Sequence, residues 1–404
     1  MASKRAPESS TLSTHRPTRQ QEILVDAILQ PGGRAISAWQ EWQRHGDIDH
    51  LDPASFQVMS LLYWNLAQQG LDHPLMDKLK GIYRMTWSSN QWLISRTLPT
   101  LRALHGRGIP IMLLKGAALN ALYGKQYGIR LIGDVDVLVR QEDALRAARV
   151  LSDLGWKMKG RPRDVTPDLI SVSKGHGYLH PEGGDLDLHW HPFPDDLVLA
   201  HEEPVWRYAV QTPIGDVPTL APSPTDLLLH VCMHGWAWSP HPPFRWIADA
   251  MTILRASQSE LDWGRLISDV RRRRLLPRLE AALTYLRERF CAEIPARAMA
   301  ELRKGPVPRL DRWEHRLRTR PVRTPLHGLI LHALRFNRLR GQSDLGTGLG
   351  GFVEYLRRRW GLERARQVPL HMIARLVLRF LWSFHFGIRR SGRTPSPTRE
   401  SGCP

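Results

Sequence analysis

A short apolar segment that carries two carboxylates, residues 130–140 (RLIGDVDVLVR), constrains the fold of this chain more than any other. Asp134 and Asp136 lie one residue apart among β-branched residues, although aspartate is usually depleted from strand interiors. Because side chains alternate along a strand, both carboxylates project from one face and the neighbouring valines project from the other. Two anions on one face of a small sheet repel each other unless a divalent cation lies between them. The segment therefore predicts a metal-binding strand.

A second segment, DLDLHWH (185–191), offers the third carboxylate that a site of this kind requires. Its two aspartates and two histidines alternate with leucine and tryptophan, which directs the polar set toward the site and the apolar set toward the core. Asp187 is the predicted ligand, because it lies deeper in the strand than Asp185, where an unpaired carboxylate would be costly. His189 shares this face, and we expect it either to contact substrate or to hydrogen-bond Asp187; a purely structural role is the alternative.

A phosphate-binding element is predicted upstream, in LLKGAALNAL (113–122). The segment has the pattern of a strand end followed by a glycine and the start of a helix. The free N–H groups of a helix N-terminus bind phosphate, and Gly116 allows the backbone to approach it closely. Lys115 and Arg130 are expected to neutralise phosphate charge. Carboxylates that hold magnesium beside a phosphate cradle suit phosphoryl or nucleotidyl transfer by two metals, whereas the GxxxxGK[ST] pattern of a P-loop is absent.

The order of helical and strand-like patterns indicates an α+β chain with its sheet near the middle. Residues 109–220 contain short apolar runs and a predicted hairpin that turns at 181–184, as in a small sheet. A helix that begins near Pro74 is expected to break near Pro99. The predicted regions are a disordered tail (1–20), a helical region (21–108), an α/β core (109–220), a helical region packing on the core (221–305), an Arg-rich helical region (306–390) and a second disordered tail (391–404).

The chain is strongly basic, with a net charge of +18 and a sequence pI of about 10.5. A charge of this size is typical of proteins that bind a polyanion, such as nucleic acid, an anionic membrane or nucleotide phosphates. The 48 arginines against nine lysines also fit the bias of GC-rich coding DNA. Both interpretations stay open at the level of the sequence.

Cysteine usage and hydropathy predict a cytoplasmic chain. The three cysteines, Cys232, Cys291 and Cys403, form no CxxC pair, so neither a disulfide framework nor a zinc site is expected and a reducing compartment is the default. The polar N-terminus lacks the apolar stretch of a signal peptide. The sequence contains no uncharged run of about 18 apolar residues, so no transmembrane helix is predicted.

Three further motifs have competing interpretations. His230, Cys232 and His234 (HVCMH) suggest a zinc site, but the glutamate of HExxH is missing, so helix packing is favoured. GTGLGG (346–351) does not follow a strand, so we expect a flexible linker rather than a dinucleotide-binding loop. The basic and apolar helix 371–390 fits either peripheral contact with an anionic membrane or a core helix whose arginines extend to solvent.

Several of these segments together resemble a known family. The stretches LLKG, YGIRLIGDVDVLV, GGDLDLHWH, SPTDLLLHVCMHG and FRWIADAMTIL fall within roughly residues 95–255. They resemble the uncharacterised bacterial nucleotidyltransferases of the DNA polymerase β-like nucleotidyltransferase superfamily. The resemblance implies a small mixed β-sheet nucleotidyltransferase core flanked by helical N- and C-terminal regions. It also implies a nucleoside triphosphate (NTP) as donor and Mg²⁺, or Mn²⁺, as cofactor.

The resemblance implies roles for individual residues as well. Asp134 and Asp136 match the paired metal-binding carboxylates of the family, and Asp187 matches the third. Gly116 takes the place of the phosphate-loop glycine, and Arg130 that of the arginine ahead of the DxD motif. The chain departs from the wider superfamily by carrying Lys-Gly instead of Gly-Ser at the helix start, so no serine hydroxyl is available there to contact phosphate.

The leading functional hypothesis is a Mg-dependent nucleotidyltransferase that transfers a nucleoside monophosphate from an NTP. No sequence feature identifies the acceptor, and a small molecule and a peptide or protein hydroxyl are both candidates. Two alternatives stay open: an RNA-modifying nucleotidyltransferase that holds RNA through its basic C-terminal third, and a non-catalytic nucleotide-binding partner protein. The absence of an aromatic-rich RNA-binding module disfavours the RNA alternative.

Overall fold

One mixed sheet forms the centre of the protein. The computed structural model describes residues 16–124, 128–160, 164–236, 244–320, 326–340 and 344–374. The strands within these residues are β1 (Met112–Leu113), β2 (Val135–Leu138), β3 (Lys157–Met158), β4 (Gly175–Leu179), β5 (Asp185–His189), β6 (Val210–Ile214) and β7 (Val217–Ala221). They pair in the order β3–β4–β5–β2–β1–β7–β6, with β2–β5 and β1–β7 parallel and the other pairs antiparallel. The predicted α+β class and mixed sheet are confirmed.

Helices precede, connect and follow the strands. Those before the sheet are α1 (Arg19–Leu29), α2 (Gly32–Gln43), α3 (Pro53–Phe56), α4 (Met59–Gln68) and α5 (Met76–Gly106). Those between strands are α6 (Lys115–Tyr123), α7 (Ala144–Asp153), α8 (Pro167–Ile170) and α9 (Glu203–Arg207). Those after the sheet are α10 (Pro224–Gly235), α11 (Arg245–Ala256), α12 (Trp263–Arg272), α13 (Leu276–Phe290), α14 (Ala296–Arg303), α15 (Arg309–Arg318), α16 (Leu326–Leu339) and α17 (Gly348–Trp360). Among the described residues, no helix combines the length and the apolar character needed to cross a bilayer.

The first helix begins two residues earlier than the helical region that the sequence predicts. Thr18 is its N-cap: the Thr18 hydroxyl accepts from the backbone N–H of Gln21 at 3.3 Å, and the Gln21 side chain accepts from the backbone N–H of Thr18 at 3.0 Å. This reciprocal capping box satisfies two N–H groups that would otherwise lack partners. The end of the predicted tail 1–20 therefore belongs to α1, and residues 1–15 lie outside the described part of the chain.

Helix α5 runs without interruption through Pro99, so the expected break there is wrong. A proline inside a helix removes one backbone hydrogen bond and costs about 3 kcal/mol. Apolar residues on both sides of it are buried, including Leu93 and Ile94 before it and Leu101 and Leu104 after it. Burial of one continuous apolar face offsets the local cost, since each fully buried side chain contributes roughly 2 kcal/mol.

The predicted hairpin is confirmed as the antiparallel pair β4–β5, whose last paired residues are Leu179 and Asp185. The turn between them contains Gly183 and Gly184 with φ angles of +92° and +129°, a region that residues with a Cβ rarely adopt. A Cβ at Gly183 would also collide with the ring of Trp92 on α5. The two glycines therefore allow the hairpin to turn tightly against the long helix.

Side-chain alternation divides β2 and β5 into an apolar face and a polar face. Val135 and Val137 of β2 and Leu186 and Leu188 of β5 have no exposed surface. They belong to the main core, which also contains the buried residues of α7, and α5 contacts both strands directly. The opposite face of the same strands carries the aspartates, so packing of the valines against helices orients the carboxylates away from the core.

The linker predicted at 346–351 is wrong in its second half, because Gly348–Gly351 form the first turn of α17. Gly346 and Gly348 adopt φ angles of +75° and +63°, which reverse the chain into the helix. A Cβ at Gly351 would lie 2.6 Å from the Gly346 carbonyl oxygen. The glycines are therefore explained by a close backbone approach and not by flexibility. Most of the predicted basic helix 371–390, from residue 375 onward, and the tail 391–404 lie outside the described residues.

A buried carboxylate joins the Arg-rich C-terminal helices to the rest of the protein. Asp195 lies 2.9 Å from Arg318 on α15, 3.1 Å from Arg278 on α13 and 3.3 Å from Arg335 on α16. Burial alone would raise the pKa of Asp195, but the surrounding guanidinium groups outweigh it and hold the pKa well below its usual range. These three arginines are thus engaged inside the protein rather than displayed to a partner.

Loss of the Asp195 charge should weaken the packing of these helices on the rest of the protein. We expect Asp195→Asn to lower the free energy of unfolding by about 3 kcal/mol, because three guanidinium groups would lose their shared buried partner. Urea denaturation measures this change. The matched control is Asp216→Asn, which removes an ion pair with Arg102 in which both side chains are more than half exposed; it should have little effect. Equal effects of the two substitutions would contradict a structural role for Asp195.

Candidate active site

The parallel pairing of β2 and β5 brings the predicted carboxylates together. Asp136 is directly opposite Asp187 in the register, and Asp134 precedes β2 by one residue. Ligand atoms of Asp136, Asp187 and His189 lie within 4.8 Å of one another, and so do those of Asp134, Asp185 and Asp187. Asp187 belongs to both groups, so it lies at the centre of the acidic cluster.

Asp136 is the most enclosed member of this cluster, with 1% of its side chain exposed. Its Oδ1 atom accepts from the Lys115 ammonium at 2.5 Å and from His189 Nε2 at 2.8 Å. Burial would raise the pKa of Asp136, but the hydrogen bond from His189 and the charge of Lys115 outweigh burial and lower it. Asp136 is therefore ionised; Lys115 balances its charge, and His189 donates a hydrogen bond to it.

His189 contacts Asp136, whereas the sequence predicts substrate or Asp187 as its partner. It is 2% exposed. Burial and the nearby Lys174 ammonium lower its pKa to about 4, which leaves the ring neutral. Because a carboxylate only accepts, the proton of the neutral ring lies on Nε2. His189 therefore orients Asp136, and its Nδ1 atom has no hydrogen-bond partner among the described residues.

Asp134 differs from Asp136 in its ionisation. Burial, followed by the negative charge of Asp136, raises the pKa of Asp134 to about 6. A carboxylate of this kind is costly to ionise until a cation compensates it. Three carboxylates with a histidine nearby form an oxygen-rich ligand set, which suits a hard divalent cation such as Mg²⁺ or Mn²⁺. The residues present therefore fit the metal that the sequence predicts.

Lys115 adopts an unusual backbone conformation at the start of α6. Its φ angle is +45°, in the left-handed region that non-glycine residues occupy at a cost of roughly 1–2 kcal/mol. The only ion pair of its ammonium group among the described residues is with Asp136. The pair offsets this strain, and it places an internal cation on a carboxylate that is also a predicted metal ligand. Burial would lower the pKa of Lys115, but the Asp136 charge reverses that effect and raises it.

Arg130 and Gly116 form a second packed unit beside α6. Arg130 Nε and Nη2 donate to the two carboxylate oxygens of Asp249 on α11 at 2.8 and 2.9 Å. A Cβ at Gly116 would collide with Arg130 Nη1. Gly116 is thus required for the Arg130 guanidinium to pack closely against the start of α6. The phosphate-binding roles predicted for Lys115, Gly116 and Arg130 remain predictions, since both cations already have a carboxylate partner.

Three positions that support the site were missed at the level of the sequence. Asn90 of α5 is fully buried and holds the chain ahead of β2: it donates to the Arg130 carbonyl at 2.7 Å and accepts from Ile132 N–H at 2.8 Å. Asn120 donates to the same Arg130 carbonyl at 3.2 Å. Asp249 anchors the Arg130 side chain. The detectable signal was a polar residue on the apolar face of an amphipathic helix.

A cavity of about 220 Å³ adjoins the carboxylates. It lies between the start of α6, Asp134 and Asp136, and the helices α10 and α11. His230 and His234 of α10 line it, whereas Cys232 is buried in the core. No third ligand joins the two histidines within the described residues. The favoured packing interpretation of this motif therefore holds for Cys232, while the histidines also face the cavity.

The raised pKa of Asp134 predicts a stability cost that a neutral side chain would remove. Its ordinary value is 3.8 and its value in the fold is about 6, so folding favours the protonated form. That contribution is fully present below about pH 4 and is lost as the pH rises through about 6. Without divalent cations, Asp134→Asn should exceed the wild type in free energy of unfolding by about 3 kcal/mol near pH 7, since one pKa unit corresponds to about 1.4 kcal/mol. The difference should vanish near pH 4, as urea denaturation at both pH values will test; a pH-independent difference would contradict this ionisation.

Lys115 should compete with the metal for Asp136. Lys115→Met removes a positive charge from the ligand oxygen, so the affinity for Mn²⁺ without nucleotide should rise on the order of tenfold. Isothermal titration calorimetry or Mn²⁺ paramagnetic resonance measures it. The control is Lys80→Met, an exposed lysine on α5. A Mn²⁺ affinity that falls in Lys115→Met would contradict this competition.

Two solved structures are similar to part of this chain. The solution structure of the antibiotic-resistance factor ANT(2'')-Ia has 12% identity and a TM-score of 0.31, and covers 50% of this chain and 95% of that chain. The crystal structure of an antigenic nucleotidyltransferase-like protein from Paracoccidioides brasiliensis has 15% identity and a TM-score of 0.35, and covers 52% of this chain and 97% of that chain. No curated protein matches the sequence.

A family model covers the sheet together with its flanking helices. The model described as "uncharacterised nucleotidyltransferase" matches residues 54–291, which is more than half of the 404 residues. The match includes all the carboxylates of the candidate site, the α6 start and both helices that line the cavity. The chain therefore belongs to the family of uncharacterised nucleotidyltransferases.

Proposed function

We propose that this protein is a divalent-cation-dependent nucleotidyltransferase that transfers a nucleoside monophosphate from an NTP to a hydroxyl acceptor. The observation that carries the proposal is the pairing of Asp136 with Asp187 across two parallel strands, with Asp134 beside them and the start of α6 next to the cluster. Membership of the DNA polymerase β-like superfamily and action in the cytoplasm are parts of the proposal that rest on the sequence.

Three carboxylates would hold the metal ions in this scheme. Asp134 and Asp136 would hold the metal beside the phosphates, and Asp187 would supply the remaining carboxylate ligand. When bound, Mg²⁺ or Mn²⁺ stabilises the charge that develops on the transferred phosphate. His189 keeps the Asp136 carboxylate in one orientation through its Nε2 hydrogen bond. The buried hydrogen bond thus supports a ligand and does not itself take part in proton transfer.

Asp187 is the group best suited to the acceptor. Its side chain is 25% exposed, whereas that of Asp136 is 1% exposed, so an acceptor hydroxyl reaches Asp187 more easily. Asp187 orients the hydroxyl and accepts its proton as the oxygen attacks the α-phosphorus in line. The free N–H groups at the start of α6 bind phosphate oxygens. Pyrophosphate leaves with the electron pair of the broken bond.

A small molecule or a peptide or protein hydroxyl is favoured over RNA as acceptor. An RNA-binding surface requires arginines that are free to contact phosphates. In the described part of the Arg-rich region, several arginines are engaged with carboxylates: Arg318 and Arg335 with Asp195, Arg338 with Glu314, and Arg357 with Glu354. Internal pairing of this kind leaves fewer arginines available to a polyanionic partner.

Pyrophosphate release tests the proposal directly. The protein is incubated with Mg²⁺, each of the common NTPs in turn, and fractionated cell extract as the acceptor source. One NTP should give pyrophosphate above the level of an Asp134→Ala, Asp136→Ala double variant. Release that is independent of the carboxylates, or absent with every NTP and fraction, would contradict nucleotidyl transfer.

Two neighbouring aspartates should differ in their effect on turnover. Asp187→Asn should abolish turnover and preserve much of the NTP binding, because Asp134 and Asp136 still hold the phosphate-side metal. Asp185→Asn should be mild, because Asp185 is paired with Lys159 at the start of β5. Parallel turnover and binding assays on the two variants measure this. An inactive Asp185→Asn beside an active Asp187→Asn would reverse the assignment.

A further inference from the structure

A row of four residues crosses the polar face of the sheet. The backbone N–H of Lys159, the residue after β3, donates to the Gly177 carbonyl of β4 at 2.8 Å. Gly177 pairs with Asp187 of β5, which pairs with Asp136 of β2. Residues that are directly opposite each other on neighbouring strands share one face of the sheet. The row therefore has a cation at one end, two carboxylates at the other and a glycine between them.

Gly177 leaves a gap in this row. Neighbouring strands lie about 4.8 Å apart, so the backbones of Lys159 and Asp187, two strands apart, are separated by roughly 10 Å. A side chain between them would block the lysine, because a Cβ at Gly177 would lie 2.7 Å from Asp187 Oδ1 and 2.8 Å from Lys159 Cδ. The glycine thus provides the space in which the Lys159 side chain crosses β4 toward the carboxylates.

The ammonium group of Lys159 reaches two carboxylates of β5. It donates to Asp185, and it lies 3.7 Å from Asp187 Oδ1. An ammonium group has three donors and behaves as a compact point charge, so one lysine can serve both carboxylates. The Lys159 side chain is 34% exposed and that of Asp187 is 25% exposed, which places this internal cation on the side of the cluster that solvent and an acceptor can reach.

These two carboxylates belong to one of the two groups of possible metal ligands in the cluster. Asp134 is the third member of that group. A divalent cation held by all three would lie close to the ammonium of Lys159, and both would require the same carboxylate charges. Asp134 and Asp136, in contrast, form no ion pair with Lys159 among the described residues. The lysine therefore opposes a metal at one end of the cluster and leaves the other end accessible to it.

We propose that the Lys159 ammonium takes the place of a second divalent ion, so that the carboxylates of this protein bind one Mg²⁺ or Mn²⁺ per chain. The inference rests on the proposed function and reduces the number of metal ions that it requires. Asp134 and Asp136 hold the ion beside the phosphates, and Lys159 supplies positive charge next to Asp187, the carboxylate assigned to the acceptor. Lys159 is a positioning residue in this scheme, since it acts through Asp187.

The number of Mn²⁺ ions bound per chain tests this inference, with Mn²⁺ alone as the probe. Isothermal titration calorimetry counts the ions, and paramagnetic resonance detects the magnetic coupling of two ions that share a carboxylate. The wild type should bind one ion. Lys159→Met, which removes the charge, should bind two, whereas Lys159→Arg, which retains it, should bind one. The matched control is Lys157→Met, an exposed lysine two residues earlier on β3, which should also bind one.

The count also separates the two lysines of the cluster. Lys115→Met should raise the affinity for Mn²⁺ and leave the number of ions at one, because Lys115 pairs with Asp136 alone. Lys159→Met should raise the number. The contacts of Lys159 are partly exposed, so this substitution should leave the fold intact, as thermal unfolding without metal will check.

The outcomes distinguish this inference from the proposed function. Two ions in the wild type would overturn the inference and leave metal-dependent nucleotidyl transfer in place. A single ion in Lys159→Met would equally overturn it, because the lysine would then exclude nothing. Wild-type protein that binds no Mn²⁺ would contradict the proposed function and the inference together. One ion in the wild type and the controls, with two in Lys159→Met, would support the inference.

Discussion

The buried carboxylate of Asp136 is the interaction on which the candidate site depends. The Asp136 side chain is almost fully buried, yet it stays ionised because Lys115 and His189 both donate to the same oxygen. Lys115 is at the start of α6 and His189 is at the end of β5. The Asp136 carboxylate therefore links both of these elements to β2. The left-handed conformation of Lys115 is tolerated in that context, since relaxing it would move the ammonium away from its partner.

The cations around the cluster fall into two groups with different consequences. Lys115 and Arg130 are paired with Asp136 and Asp249, and these pairs maintain the geometry of the protein before any ligand binds. Arg245 and Lys174 form no ion pair with a carboxylate in the described chain, and Arg245 donates instead to the backbone carbonyl of Leu131. The paired cations therefore set distances within the site, and the other two leave positive charge beside the carboxylates.

Internal ion pairs also explain why the high positive charge is an ambiguous indicator of function. Asp195 is surrounded by arginines from three C-terminal helices, and these contacts link distant parts of the chain. Arginine suits such sites because its guanidinium remains charged when buried and donates in several directions. A composition count cannot separate arginines of this kind from arginines that face a partner, because both contribute equally to net charge.

The sequence by itself determined the features that depend on local periodicity. The alternation around Asp134 and Asp136 predicted a strand with one polar face, and the glycines at 183–184 marked the β4–β5 turn; both were confirmed because a strand pleat and a tight turn involve only neighbouring residues. Only the tertiary structure decided the partners of the charged groups. Asp249 reaches Arg130 across 119 positions in the chain and Asn90 reaches it across 40, and the uninterrupted course of α5 through Pro99 depends on its burial. Such contacts arise when helices pack on the sheet, and the period of a single segment contains no information about which distant residue it will meet.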